Sequence, residues 1–426
     1  MYTRFEIDGT KIRINGALTY SEYPDCPEER LGMLMNCRFI QGVFDAPSDR
    51  DRFQRFGRVF DPDMQTDNLI AQLQNWYDKG IRAITVGFQG GGACYTINAW
   101  TFRNSPYSED GRVIDPAYLA RMKRLIEAAD RIGMLVIVSF FYVAQVRFLK
   151  DDLAVINAVK TASNWLRDEG FTNVIIEVAN EHDVAEYKIH PILFDPKGIV
   201  ELIDIARRES GGLPVGCSST DAYFPYDIAN ASDIILIHGN NMTRQEFHQY
   251  ILKAKAIRPK RPIVCNEDSQ ALGDLQVALD NGISWGYYNN MTKQEPPTDW
   301  RITPGEDLFF TARVAEAFGI EKNAIPEEAQ FRIMGLDADD VWEGKRWIRL
   351  AAMYPEKIRK VDFYRDGAYF DSAYDDPFSL QFRVNWLQGP IEGILDGERW
   401  TSRIFLSDGS VIEKEAIAGS FNKNML

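Results

Sequence analysis

The chain has 426 residues, 45% hydrophobic and 26% charged, with a formal net charge of −14. That length exceeds what one hydrophobic core usually organises, so a large domain and a smaller one are expected, and the composition is that of a folded protein, not a disordered or low-complexity one. Basic residues gather into nothing longer than pairs such as Arg207 and Arg208, which together with the acidic balance argues against nucleic acid as a partner.

The N-terminus, MYTRFEIDG, has no apolar signal core, and no segment reaches the roughly 18 apolar residues of a membrane span. A soluble chain without a membrane partner is expected, cytoplasmic as it stands, and secreted or periplasmic if a leader has been removed. Cys26, Cys37, Cys94, Cys217 and Cys265 are odd in number, far apart and without a CxxC pair, so buried reduced thiols are expected rather than disulfides or a zinc knuckle. Oligomeric state is not legible.

FEIDGTKIRINGALTY (5–20) reads as a hairpin with Asp8 and Gly9 in its turn. From about residue 38 to 320, short apolar runs alternate with segments of helical period, the pattern of parallel β/α units. The eight expected strands are RFIQGVFD (38–45), RAITVGFQ (82–89), MLVIVSFFY (134–142), NVIIEVANE (173–181), LPVGCSS (213–219), DIILIHGN (233–240), PIVCNED (262–268) and ISWGYYNN (283–290). Their continuous apolar character implies burial on both faces. Between them, Asp115 is placed to cap a helix with Pro116 first, Leu119, Met122 and Ile126 on one face, and Gly133 at its end. Leu69, Leu73, Trp76 and Tyr77 form a second such face closed by Gly80, and Thr243 and Glu246 have capping-box spacing for a third.

Eight such units predict a (β/α)8 TIM barrel, with the hairpin over its lower end and any active site at the C-terminal ends of its strands. A doubly wound open sheet is the competing topology, because counting units does not close a barrel. Beyond residue 330 the pattern changes: KVDFYRDGAYF (360–370) and RIFLSDGSVI (403–412) each set an Asp-Gly turn between alternating runs. The expected division is a barrel catalytic domain at 1–325, a helical linker around 326–333, and a C-terminal β-sandwich accessory domain at 330–426 that could be deleted without unfolding the barrel.

Chemistry gathers at two strand ends. NVIIEVANEHD (173–183) breaks from apolar residues into Asn180, Glu181, His182 and Asp183, and the seventh strand ends likewise in Asn266, Glu267 and Asp268. Two carboxylates on facing strand ends are what glycosidic bond hydrolysis requires: one protonates the leaving oxygen, the other attacks the anomeric carbon or activates water. Salt-bridged structural carboxylates are the plainer alternative.

With Asn-Glu at strand four and Glu at strand seven, the barrel resembles clan A of the glycoside hydrolases, particularly cellulase-like proteins of the family 5 type. The resemblance implies Glu181 as general acid/base, Glu267 as nucleophile, and Asn180 as hydrogen-bond donor to the sugar hydroxyl beside the anomeric carbon. Glu177 matches a position where such proteins often hold a carboxylate, and His238 one where the clan places a His or Tyr near the site. Family 5 proteins also carry an Arg at the end of strand two that supports the nucleophile, whereas this strand ends FQGGG (88–92) with Gln89.

Gln89 and Tyr142, by position, and Trp100, Trp285, Tyr288 and Trp300, as aromatic platforms, are further candidates for holding sugar, with core packing the plainer alternative for the three tryptophans. Glu181, His182 and Asp183 could be read as metal ligands, but alternation along a strand sends neighbours to opposite faces, so no metal is expected. GGG (90–92) lacks dinucleotide-binding spacing and reads as a rim loop. The expectation is a retaining glycoside hydrolase acting on an oligo- or polysaccharide without a cofactor, with Glu181 raised in pKa and Glu267 ionised. A catalytically silent carbohydrate-binding protein on the same scaffold is the alternative.

Overall fold

The computed structural model describes residues 1–54, 59–91, 93, 95–221 and 223–419. The chain begins as a meander of β1 (Phe5–Asp8), β2 (Lys11–Ile14) and β3 (Ala17–Leu18). The first turn falls on Gly9 and Thr10, one residue later than expected, with Gly9 at φ 61° where a Cβ would be strained.

Eight parallel strands follow: β4 (Asn36–Arg38), β5 (Ala83–Gly87), β6 (Leu135–Phe141), β7 (Val174–Ala179), β8 (Val215–Gly216), β9 (Ile235–His238), β10 (Ile263–Glu267) and β11 (Gly286–Tyr287). Six pair in the order β11-β4-β5-β6-β7-β8, and β10 pairs with β9. Backbone bonds bridge both gaps: Asp233 N–H donates to Val215 O at 2.8 Å, and Cys265 N–H to Ser284 O at 3.0 Å. The ring is thereby closed, which makes it a barrel and disposes of the open sheet.

The barrel's lower end is apolar. Ile12 of β2 packs with Leu34, Ala83, Leu135, Ile137, Ile175, Ile234, Leu236 and Val264, so the meander plugs the strand entrances as expected. Each such aliphatic side chain, fully buried, contributes roughly 1.5–3 kcal/mol. Outside the ring the expected caps form: the Asp115 carboxylate accepts from Tyr118 N–H at 2.9 Å at the start of the Pro116–Arg131 helix, and Thr243 and Glu246 make a reciprocal capping box.

The first barrel strand departs from its expected span of 38–45. It ends at Arg38; Phe39 N–H still reaches Thr85 O at 2.9 Å, and then Gly42 N–H turns back to Phe39 O at 2.7 Å. Phe39, Ile40, Val43 and Phe44 are buried beneath this turn, so packing accounts for an apolar run that mimics a strand.

Past the barrel, the expected linker helix is only a 3-10 turn, Glu327–Ala329, because the chain enters β12 (Phe331–Met334) directly. There follow β13 (Lys345–Arg346), β14 (Arg349–Ala352), β15 (Ile358–Arg365), β16 (Ala368–Ala373), β17 (Phe382–Val384), β18 (Leu387–Gln388), β19 (Ile391–Glu392), β20 (Arg399–Leu406) and β21 (Val411–Ile417). The largest sheet is antiparallel in the order β16-β15-β20-β21, with Asp366 and Gly367 turning between β15 and β16. Val361, Phe363, Trp400 and Ile404 centre a core separate from the barrel's. Polar contacts tie the two: Arg349 Nη2 donates to Glu306 at 2.6 Å with both side chains buried, and Gly273 N–H to Asp376 at 2.9 Å.

No helix among the described residues is long and apolar enough to cross a membrane. Cys26, Cys37, Cys217 and Cys265 are free thiols; Cys94 lies outside the described residues.

Candidate active site

Two local irregularities aim the carboxylates. β7 stops at Ala179, and two residues later Glu181 adopts φ 52°, a left-handed conformation that is uncommon for a residue with a Cβ. On β10 the register slips between Cys265 and Glu267, so a bulge at Asn266 lets two consecutive residues turn toward the mouth. Asn266 Nδ2 donates to Glu177 at 2.9 Å, while Glu267 meets Arg38, Asn180 and Asn240.

The Glu267 carboxylate accepts from Asn180 Nδ2 at 3.2 Å and Asn240 Nδ2 at 3.1 Å, and pairs with the Arg38 guanidinium at 2.8 Å. Glu181 accepts from His238 Nδ1 at 3.0 Å, and the same nitrogen lies 3.7 Å from Glu267. One carboxyl oxygen each of Glu181 and Glu267 and a ring nitrogen of His238 all lie within 4.8 Å of one another. Below them Glu177, fully buried, accepts from Ser218 Oγ at 2.8 Å and faces His238 Nε2 at 3.7 Å and Arg38 at 3.8 Å. Three carboxylates thus surround two cationic side chains.

The electrostatics follow from that count. Burial disfavours a charged imidazole, yet Glu267, Glu177 and Glu181 outweigh it and raise the His238 pKa to about 10, so the ring is an imidazolium at neutral pH. Burial likewise disfavours the Glu177 carboxylate, but His238, Arg38 and Asn266 bring its pKa down to about 2. At Glu267 burial prevails and pushes the carboxyl above its usual value, opposed by Arg38 and His238 and reinforced by Glu181 and Glu177; an upward shift was expected at Glu181 and falls here on its partner. Glu181 is the more accessible of the facing pair, its side chain 21% exposed against 9% for Glu267.

The structure thus brings Asn180, Glu181, His238 and Glu267 together. Tyr288 stands beside them, its ring 5.6 Å from the Arg38 guanidinium. Gln89 does not face the carboxylates with a free amide: it donates to Ser105 Oγ at 2.9 Å and accepts from Tyr142 N–H at 3.1 Å, tying two rim loops. Tyr142 packs on the aromatic cluster of Phe44, Phe53, Phe60 and Phe102.

Trp285 and Trp300 are not sugar platforms. Trp285 is 0% exposed, its N–H on Asp268 at 2.8 Å and its ring 5.7 Å from Phe310; Trp300 is 1% exposed, its N–H on Gln65 O at 3.0 Å and its ring against Phe39. Both serve the packing between barrel and outer helices. Trp100 is exposed but carries the Arg147 guanidinium 5.4 Å over its ring.

Arg38 and Asn240 were missed as site residues. Arg38 ends the first barrel strand and pairs with Glu267, whereas an Arg was sought at the second; in the sequence it heads the apolar run RFIQGVFD, which hid it. Asn240 lies in HGNN, polar residues ending an apolar run in the same manner as the Asn-Glu pairs.

Glu181, His182 and Asp183 diverge, not by strand alternation but because the strand has ended and Glu181 is left-handed: His182 is buried near Tyr223, and Asp183 accepts from Thr220 N–H at 2.8 Å. Among the described residues the trio with metal-ligand spacing is Glu181, His238 and Glu267. A divalent cation there would have to displace the Arg38 guanidinium and deprotonate His238. The donor set fits an ion-pair cluster better than a metal site.

No family model matches the chain, and no curated protein matches it. Among solved structures it is similar to a β-glucuronidase of Bacteroides uniformis covalently bound to cyclophellitol-6-carboxylate aziridine, at 11% identity and a TM-score of 0.45 over 98% of this chain and 48% of that one. It is similar also to the endo-β-1,4-mannanase of Thermotoga petrophila, at 10% identity and 0.46 over 92% and 98% of the two chains. A third is the β-mannanase of the blue mussel Mytilus edulis, at 12% identity and 0.45 over 76% and 100%. The chain spans about half the length of the glucuronidase.

Proposed function

We propose that the chain is a retaining glycoside hydrolase acting on an oligo- or polysaccharide, with Glu267 as nucleophile and Glu181 as general acid/base. The observation that carries this reading is that an oxygen of Glu181 and an oxygen of Glu267 lie within 4.8 Å of one another at the barrel mouth, a close approach that favours the shorter of two carboxyl spacings. Retaining enzymes hold their carboxyls ~5–5.5 Å apart, whereas inverting enzymes leave ~6.5–9.5 Å for a water between them.

Each residue then has a task. Glu267, oriented by Asn180, Asn240 and Arg38, attacks the anomeric carbon and forms a glycosyl ester, while Glu181 passes a proton to the departing oxygen. The proton that Glu181 passes on comes from the His238 imidazolium, whose Nδ1–H is donated to Glu181 at 3.0 Å. Esterification of Glu267 removes a negative charge that holds the proton on the ring, so the imidazolium gives up its proton to Glu181 more readily as the ester forms. Water then attacks the ester, Glu181 accepts its proton, and Glu267 is released. These residues need no cofactor for any step.

We read residues 1–325 as the catalytic barrel and 330–426 as a C-terminal β-sandwich, supported by the change from parallel to antiparallel pairing and by the second core. Turnover of activated aryl glycosides by the wild type, abolished in Glu267→Ala, is the expected result; sugar binding without turnover would favour the silent carbohydrate-binding alternative.

A further inference from the structure

Trp285 and Trp300 are buried away from the carboxylates, and the C-terminal region offers a further aromatic side chain at the barrel rim. The hairpin β17–β18 leans onto the barrel rim through Asn385 and Trp386. Trp386 donates its indole N–H to Asn241 Oδ1 at 2.7 Å, and its carbonyl accepts from Tyr95 Oη–H at 2.7 Å. Asn385 takes the backbone N–H of Asn241 at 2.9 Å. Asn241, held from both sides, has φ 69°, and its chain neighbour Asn240 donates to the Glu267 carboxylate at 3.1 Å.

Tyr95 is fixed in turn. Its N–H donates to Glu295 at 2.8 Å, and its ring meets Trp347 of the C-terminal region edge-on, centroids 5.4 Å apart. Trp386 is therefore tied to the loops that follow β5 and β9, the second of which carries the Glu267 partner Asn240, and remains half-exposed. A half-exposed indole whose N–H and backbone carbonyl are both fixed by polar partners has the properties needed to stack on the C–H face of a pyranose ring.

We propose that Trp386 is a sugar-stacking wall of the substrate cleft, supplied to the barrel by the C-terminal hairpin; the proposal rests on the carbohydrate reading of the site. The C-terminal region is then part of the binding site and not a dispensable appendage. Removing the ring costs sugar affinity while the paired carboxylates stay in place.

The test measures affinity for a panel of short α- and β-linked oligosaccharides in the hydrolysis-dead Glu267→Ala protein, alone and combined with Trp386→Ala, Trp386→Gln or Trp386→Phe. Wild-type turnover is assayed separately. Phe keeps an aromatic face without the N–H, and Gln keeps a donor for Asn241 without the face. We expect Trp386→Ala and Trp386→Gln to lose roughly tenfold in affinity, and Trp386→Phe no more than about threefold. Equal affinities throughout, a loss in Phe but not in Gln, or no sugar bound by any of the proteins would overturn the assignment. A wild type without turnover whose affinity still follows the ring would end the glycosidase reading and leave Trp386 as the wall of a binding cleft.

Discussion

The same eight strands end very differently at the two mouths of the barrel. At the entrances Ile12, Leu34, Leu135, Ile175 and Val264 close a dry apolar plug, while at the exits Arg38, Glu177, His238 and Glu267 are buried with charges opposed. One end excludes water with groups that need no partners; the other buries charge and must balance it, two cationic side chains against three carboxylates. The contrast fits the division of this fold between a stabilising lower end and an upper end where we propose the chemistry.

Substitutions at the two ends should separate these roles. The largest effect is expected from Glu267→Ala, which removes the carboxylate proposed to form the glycosyl ester; turnover should fall by roughly 10⁵-fold or more on every substrate, measured as kcat/KM. Ile175→Ala at the lower end should cost about 2–5 kcal/mol in denaturant unfolding. Assayed where the variant is still folded, it should keep its kcat/KM within about twofold, and a larger catalytic loss would erase the division between the two mouths.

Glu181→Ala should lose about 100-fold or more on sugars with poor leaving groups yet stay competent in the first step on activated aryl glycosides. Added azide should then intercept the ester and yield a glycosyl azide of retained configuration. Equal losses across leaving groups, with no azide product, would remove Glu181 from the acid/base role.

The smallest expected effect is on stability against pH. The His238 pKa is raised from 6.5 to about 10 in the folded state, so its contribution is complete below about 6.5 and lost as pH rises through about 10. Glu177, lowered from 4.5 to about 2, behaves oppositely, its contribution present above about 4.5 and lost as pH falls toward 2. Unfolding midpoints should decline on both flanks, and His238→Gln should flatten the alkaline one; an unchanged alkaline slope would mean that the ring is neutral.

What could be read from the sequence was local. Apolar runs marked the strands, Asp115 and Thr243 marked helix starts, and the Asp366-Gly367 turn marked a hairpin, because each depends on neighbours in the chain. Sidedness was hidden. Nothing in ISWGYYNN shows that the Trp285 indole turns to Asp268 and the outer helices instead of the cleft, and the apolar residues after Arg38 serve a packed turn as well as a strand. The Asn266 bulge and the seating of Asn385 on Asn241, 144 residues away in sequence, depend on pairing that no local pattern records.

The stereochemistry of hydrolysis tests the central claim most directly. Proton NMR of the first product released from a glycoside, recorded before mutarotation, should show the anomeric configuration of the substrate, since two displacements at one carbon restore it. A first product of opposite configuration would show that water attacks directly and that Glu267 is not the nucleophile.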